Sequence, residues 1–313
     1  MDLVKRLELT PDDLLRLRFA HSPMAEVVTS ALALRGDAWQ YSRWRRRLGT
    51  STDGLDVLWR VLDPRSGGIP DFLTPVPQTA RPTLESELAV IAATHPDRIA
   101  AELECAGIRY DDPAALIPPL LAQIRRYFDL ALADLWPRLR ATADNEIAHR
   151  TTTAAFPGPH SLLADLHPRL RWDPDALHLD YLKDTPLHPW SLHGEPLYLL
   201  PTAFTGAKAW IMDSPAGRAL WYPPRAVTAL FAAPAPPPEP LAALLGATRA
   251  AVLTLLTTPS STGDVAERLG LAPATASHHL TALRDAGLIV AARSGRRLNY
   301  RHTDLGERLS TGG

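Results

Sequence analysis

The sequence predicts a mainly α-helical fold with a small β element, closed at the C-terminal end by helices on a tight turn followed by a β-hairpin. Three observations predict it. Apolar residues recur at helical spacing through most of residues 1–150. Short apolar runs bounded by Gly, Pro or Asp cluster in residues 160–231, as strands do. After a proline-rich stretch at 234–240, the helical period returns and then gives way to a hairpin pattern.

The elements follow in order. Thr10-Pro11-Asp12-Asp13 is a helix start, with Thr as cap, Pro in the first turn and acids at the positive end of the dipole. Leu14 and Leu17 continue its spacing until Ser22-Pro23, where a second helix begins and runs to Leu34. Residues 39–48 are aromatic and basic. Further helices are expected near 84–93, 99–106 and 116–139. Residues 177–182 alternate with a period of two, and residues 197–200, 209–212 and 219–222 are short apolar runs, so these four segments read as strands. Residues 234–240 hold five prolines in seven positions and read as stiff polyproline II. The expected organisation is a helical accessory and dimerisation region at 1–150, its α+β continuation at 151–233, a linker at 234–240 and a C-terminal domain at 241–313.

Composition narrows the class. At ~100–200 residues per domain, 313 residues make two or three domains. No run approaches 18 apolar residues, so no membrane span is expected. The charged start (Asp2, Lys5, Arg6) is unlike a secretory signal, and the single Cys105 cannot form an intrachain disulfide. A cytoplasmic, nucleoid-associated protein is expected. From Leu241 onward eight arginines stand against five acids, a net of +3, which leaves −4 for the rest of a chain of formal charge −1. A basic end on an acidic body suits contact with a polyanion.

The C-terminal segment carries the most information. Residues 241–257 read as one helix with Leu241, Leu244, Leu245, Val252, Leu255 and Leu256 on a wide apolar face. Pro259 breaks it. Ser261, with Asp264 three residues on, caps a short second helix that ends at Gly270. Pro273 opens a third helix, 273–286, closed by Gly287. Residues 288–293 and 296–301 are the strands of a hairpin turning at Ser294-Gly295. Two short helices on a Gly-containing turn, then a hairpin, form a winged helix-turn-helix.

At 100° per residue, Ala276, Leu280 and Leu283 share the core side of the third helix. Ala274, His278 and Thr281 lie opposite, flanked by Thr275 and Ser277. That face is small, polar and free of acids, as entry into a major groove requires. His279 falls nearer the core stripe, where packing or a phosphate contact is expected. Arg284 and Tyr300, with Arg293, Arg296 and Arg297 around the wing 293–301, complete the expected DNA-contacting set.

Ala274-Thr-Ala-Ser-His-His-Leu-Thr-Ala-Leu-Arg-Asp-Ala-Gly-Leu-Ile289 resembles the recognition-helix signature of the ArsR family of winged-helix repressors. Asp264-Val-Ala-Glu-Arg-Leu-Gly-Leu before it and Gly295-Arg-Arg-Leu-Asn-Tyr-Arg301 after it match as well. The resemblance covers about 60 residues. It implies a homodimeric repressor that binds a pseudo-palindromic operator in double-stranded DNA. More loosely, Phe19-Ala-His-Ser-Pro-Met-Ala-Glu-Val and residues 197–224 resemble the long N-terminal region of some ArsR-like regulators. Metal-sensing members carry a Cys-x-Cys on the second helix, where this chain has Ser261 and Gly263. No metal and no cofactor are therefore expected. The segment after the wing is shorter than the family's dimerisation helix, so the dimer surface is expected around Leu244, Leu245 and Val252 and, more extensively, in the N-terminal region.

Other groupings weigh less. His160, His167, His178, His188 and His193 match no metal-ligand spacing and read as loop histidines. Residues 39–47 read better as an amphipathic helix than as a second nucleic-acid patch. Trp190, Trp210, Trp221, Tyr198 and Tyr222 read as strand core ahead of a ligand cavity. Cys105 reads as a small hydrophobe. No Gly-x-Ser-x-Gly, Walker or Gly-x-Gly-x-x-Gly motif is present, so no enzyme is expected. The rival reading makes the N-terminal region an enzyme or interaction module, with the winged helix contacting protein.

Overall fold

In the computed structural model, the described residues are 3–48, 53–63, 68–156, 158–163, 165–168, 170–173, 176–181, 190–192, 194–206, 208–214, 217–231, 237–257, 259–294 and 297–311. Contacts divide the chain into two units, Met1–Arg225 and Ala226–Gly313. Val227–Phe231 therefore goes with the second unit. The chain is mainly α-helical with a lesser share of strands. Among the described residues no helix is long and apolar enough to cross a membrane.

The first unit opens with β1 (Leu3–Glu8), α1 (Pro11–Leu14) and β2 (Leu17–Phe19). Helices follow: α2 (Pro23–Arg35), α3 (Ser42–Leu48), α4 (Asp56–Val61), α5 (Leu84–Ala92), α6 (Pro96–Cys105), α7 (Pro113–Ala131) and α8 (Trp136–Ala154). Strands β3 (Leu170–Asp173), β4 (Ala176–Tyr181), β5 (Trp190–Ser191), β6 (Leu197–Pro201), β7 (Trp210–Ser214) and β8 (Gly217–Tyr222) complete it.

Thr10 caps α1 as its sequence requires. Its N–H donates to Asp13 at 2.9 Å, and Asp13 N–H returns to the threonine hydroxyl at 3.2 Å. The helix is only one turn long, because Leu17–Phe19 leaves it to pair with β6. Within residues 1–150, read as mostly helical, β1 and β2 are strands that the sequence pattern did not announce. Both strands are completed by residues far along the chain: Leu7 lies opposite Leu177, and Leu17 pairs with Leu197. The two sheets run β3-β4-β1-β5 and β2-β6-β8-β7. Leu7, Leu17, Leu177, Leu197, Leu199, Leu220 and Tyr222 from both sheets share one apolar core.

Helix α2 is the buried axis of the helical part. Ser22 caps it and Pro23 opens it, and almost every side chain from Pro23 to Ala31 is inaccessible. A helix apolar all round belongs in an interior, and α5 and α7 pack against it. Its polar residues are individually tied. Glu26 accepts the Ala203 N–H at 2.8 Å, Glu87 of α5 accepts the Met24 N–H at 2.7 Å, and Ser30 accepts the Tyr127 hydroxyl at 3.0 Å. The single helix expected over 116–139 is two, because Pro137, lacking an N–H, sits in the first turn of α8. On α8, Arg150 and Glu146 form an i,i+4 ion pair with both side chains only 2% exposed. Arg150 also donates to the carbonyls of Leu162 and Asp165 and lies over the Tyr222 ring.

Residues 39–48 behave as an amphipathic helix. Trp44 is buried and its indole N–H donates to the Ala131 carbonyl at 3.1 Å, while Arg43, Arg46 and Arg47 face solvent. Cys105 is exposed rather than packed, because Leu103 and Ile99 take the inward side of α6. Of the aromatic set, Trp221 and Tyr222 are core and Trp210 stacks on Trp221 at 6.3 Å. His188 and His193 lie outside the described residues. Among those described, no three His, Cys, Asp or Glu residues group as metal ligands would.

The second unit runs α9 (Val227–Phe231), α10 (Glu239–Leu245), α11 (Ala247–Leu255), β9 (Ser260–Ser261), α12 (Thr262–Leu269), α13 (Pro273–Asp285), β10 (Ile289–Ser294), β11 (Arg297–His302) and α14 (Asp304–Thr311). The expected first helix, 241–257, is two. Gly246, at φ 83°, turns the backbone between α10 and α11 through a conformation other residues avoid. Of the stretch 234–240, residues 234–236 lie outside the described residues and α10 begins at Glu239, with Pro240 in its first turn.

Candidate nucleic-acid interface

The interface is built around one well-packed core. Leu241, Val252, Leu253, Leu256, Val265, Leu280, Leu283, Leu288, Ile289 and Tyr300 form it, drawing on the helices and the hairpin together. Ser261 and Asp264 set the start of α12. The Asp264 carboxylate accepts from the Ser261 N–H and hydroxyl, each at 2.8 Å, and the Asp264 N–H donates back at 3.3 Å. Ser260–Ser261 also pairs with Asn299 and Tyr300, a third strand that sequence reasoning took only for a break and a cap. Arg268 at the far end of α12 donates to the Ala229 carbonyl of α9 at 3.3 Å. Gly270, at φ 64°, makes the turn into α13.

On α13 the core side is Ala276, Leu280 and Leu283, all but inaccessible. The opposite side presents Ala274, Thr275, Ser277 and His278 to solvent, with Thr281 half-buried. This outward surface carries hydroxyls, an imidazole and a methyl, and no acid. Arg284 is exposed at the end of the helix and pairs with Asp285 at 3.1 Å. His279 is half-buried, with its ring 5.6 Å from that of His278 in an edge-on arrangement. Burial, then the neighbouring His278, then Arg249 of α11 hold its pKa below the ordinary imidazole value.

The wing is the antiparallel pair β10–β11, in register from Ile289 opposite His302 to Ser294 opposite Arg297. Its stem is fixed on several sides. His302 Nε2 meets the Leu253 carbonyl at 2.7 Å. The Thr303 hydroxyl donates to the Gly287 carbonyl at 2.7 Å, and Thr303 N–H donates to the Leu288 carbonyl at 3.0 Å. Gly306 of α14 lies so close to the Leu288 carbonyl that a Cβ there would overlap it. The backbones of Arg293 and Arg297 flank the wing turn; their side chains, and Arg296 altogether, lie outside the described residues.

Two expectations are corrected. Tyr300, placed among the DNA-contacting residues, is 6% exposed and packs in the core of the unit. The alternation of β11 puts Tyr300 inward and leaves Asn299 and Arg301 on the other face, with Arg301 exposed. Val252, expected on a dimer surface, is wholly buried, whereas Leu244 of α10 is 68% exposed. Arg249 was not expected at the interface; it reaches His279 only through the packing of α11 on α13, and no local pattern marks it.

Residues 244–290 match the family described as a helix-turn-helix domain, which supports a general role as a DNA-binding regulator. No curated protein and no solved structure matches the chain. The C-terminal unit is therefore a helix-turn-helix domain with a β-hairpin behind it, and double-stranded DNA is the partner this class of domain takes.

Proposed function

We propose that the protein is a sequence-specific transcriptional repressor of the ArsR-like winged-helix type. In this reading α13 enters the major groove, with Ala274, Thr275, Ser277, His278 and Thr281 at base edges and His279 and Arg284 near phosphates. Arg293, Arg296 and Arg297 of the wing meet the backbone or the minor groove. The observation that carries the reading is the division of α13 into a locked core face and an exposed, acid-free polar face. The N-terminal region serves dimerisation, effector sensing or both, and the protein acts as a homodimer on a pseudo-palindrome. One recognition helix covers few base pairs, and two half-sites about 34–36 Å apart give the selectivity a regulator needs.

Selection of bound fragments from genomic DNA by the purified chain tests this. A shared inverted repeat among the recovered fragments is the expected result. Recovery of random sequence only would overturn base reading. Light scattering on the full chain is expected to give twice the 34.2 kDa protomer mass; a monomer that still binds one long site tightly would overturn the two-fold arrangement.

A further inference from the structure

His278 and His279 stand side by side on the face of α13 assigned to DNA, and among the described residues nothing around His279 favours a charged ring. His279 is crowded by burial, by the His278 ring 5.6 Å away and by Arg249 from α11, each of which disfavours its cation. No carboxylate among the described residues offsets them. On α12, which packs against α13, Asp264 is engaged by Ser261 and Arg268 by the Ala229 carbonyl. On α13 itself Asp285 is paired with Arg284. From β10, the side chain of Arg293 lies outside the described residues. The Nδ1 atom of His279 is buried without a hydrogen-bond partner. The side chain of Glu267 on α12 lies outside the described residues, and among those described His279 has Arg249 as a positive neighbour and no counter-charge.

A duplex carries one negative charge per ~1.7 Å of axis, so docking α13 supplies the counter-charge the protein lacks. A protonated imidazole also donates from both nitrogens, where the neutral ring donates from one. We propose that the His278–His279 pair takes up a proton when α13 docks on DNA, which makes operator affinity a function of pH across the mildly acidic range. This rests on the DNA-binding reading above and adds the proton as a co-ligand of the specific complex. Affinity rises as pH falls, because a group whose pKa is higher in the complex than in the free protein binds its proton with the DNA. Each unit of difference is worth about tenfold in affinity.

The test uses the full chain, a fluorescent duplex bearing the selected operator and a random duplex of equal length. Anisotropy titrations from pH 5.5 to 8.0 at fixed ionic strength are expected to show operator affinity falling about tenfold. Calorimetry at pH 6.5 in two buffers of different ionisation enthalpy is expected to show uptake of about half to one proton per recognition helix, on the scale of a single imidazole titration. His278→Gln, at an exposed position, and His279→Gln are expected to flatten the profile, whereas His95→Gln in the first unit leaves it unchanged. Equal apparent enthalpies in both buffers, or an undiminished pH slope in the two α13 variants, would overturn the proposal while leaving DNA binding intact. Absence of binding to any duplex at every pH would instead overturn the DNA-binding reading and this inference with it.

Discussion

Replacing Arg150 by Met removes the cationic half of an ion pair whose two side chains are each only 2% exposed. The Glu146 carboxylate would keep the Arg225 N–H at 3.1 Å and the half-exposed Arg225 guanidinium at 4.0 Å but lose its buried charge partner. Breaking a buried pair by removing one member costs ~3–5 kcal/mol, against ~0–1 kcal/mol for an exposed pair. The carbonyls of Leu162 and Asp165 lose a donor as well. A total near 4 kcal/mol lowers the urea midpoint by roughly 1–4 M at slopes of ~1–3 kcal/mol/M. The readout is selective because all eight tryptophans lie before Ala226, so indole emission follows the first unit alone. Arg150→Met with Glu146→Gln keeps an acceptor for Arg225 while removing the stranded charge, and is expected to recover more than half of the loss. A single variant within about 0.5 kcal/mol of the parent would show that the pair behaves like a surface pair and refute the argument.

Three further outcomes are expected. His278→Ala should cost ~1–3 kcal/mol on the operator and far less on random duplex, read by competitive gel shift; equal losses on both would remove it from base reading. Replacing Arg296 and Arg297 together by Ala should weaken binding to every sequence and reduce the log–log salt slope by about 0.9 for each phosphate no longer neutralised, and an unchanged slope would take the wing off the DNA. Burial raises the Glu26 carboxyl to about 8 and that of Glu87 to about 7, so the folded chain holds protons that the unfolded chain releases from about pH 4.5 upward. Their contribution to stability is complete below that range and is lost as pH rises to about 8. Below neutrality His21, lowered to about 4 chiefly by burial, works the other way, and its contribution is lost as pH falls through its range. Glu26→Gln should therefore flatten the alkaline limb and stabilise the first unit at pH 8 by on the order of 3 kcal/mol; unchanged indole-monitored urea curves at that pH would contradict it.

What the sequence showed and what it hid divide by the distance along the chain over which each element finds its partners. Ser22-Pro23, Ser261 with Asp264, Gly270 and Pro273 are local signals, and each set the element it belongs to. The inward stripe Ala276, Leu280, Leu283 follows from helical spacing alone. Strands β1 and β2 carry too short a pattern to declare themselves, and their hydrogen bonds come from residues around 176–199. Gly246 sits inside an apolar helical pattern and is tolerated there by spacing arguments, yet its positive φ separates two helices. The error at Tyr300 was of another kind, since the period of two in β11 already placed it on the same side as the core.

The stem of the wing is held by a strand beside it, by a helix carbonyl through His302 and by α14 pressing on Leu288. Mechanically this is a beam clamped at one end. A small rotation at the clamp is magnified at the free end in proportion to the length of the six-residue strands. If the wing meets DNA as proposed, residues at the clamp such as Thr303 and Gly306 set where it arrives. Substitutions there would alter the direction in which the wing extends and leave the residues of its tip unchanged.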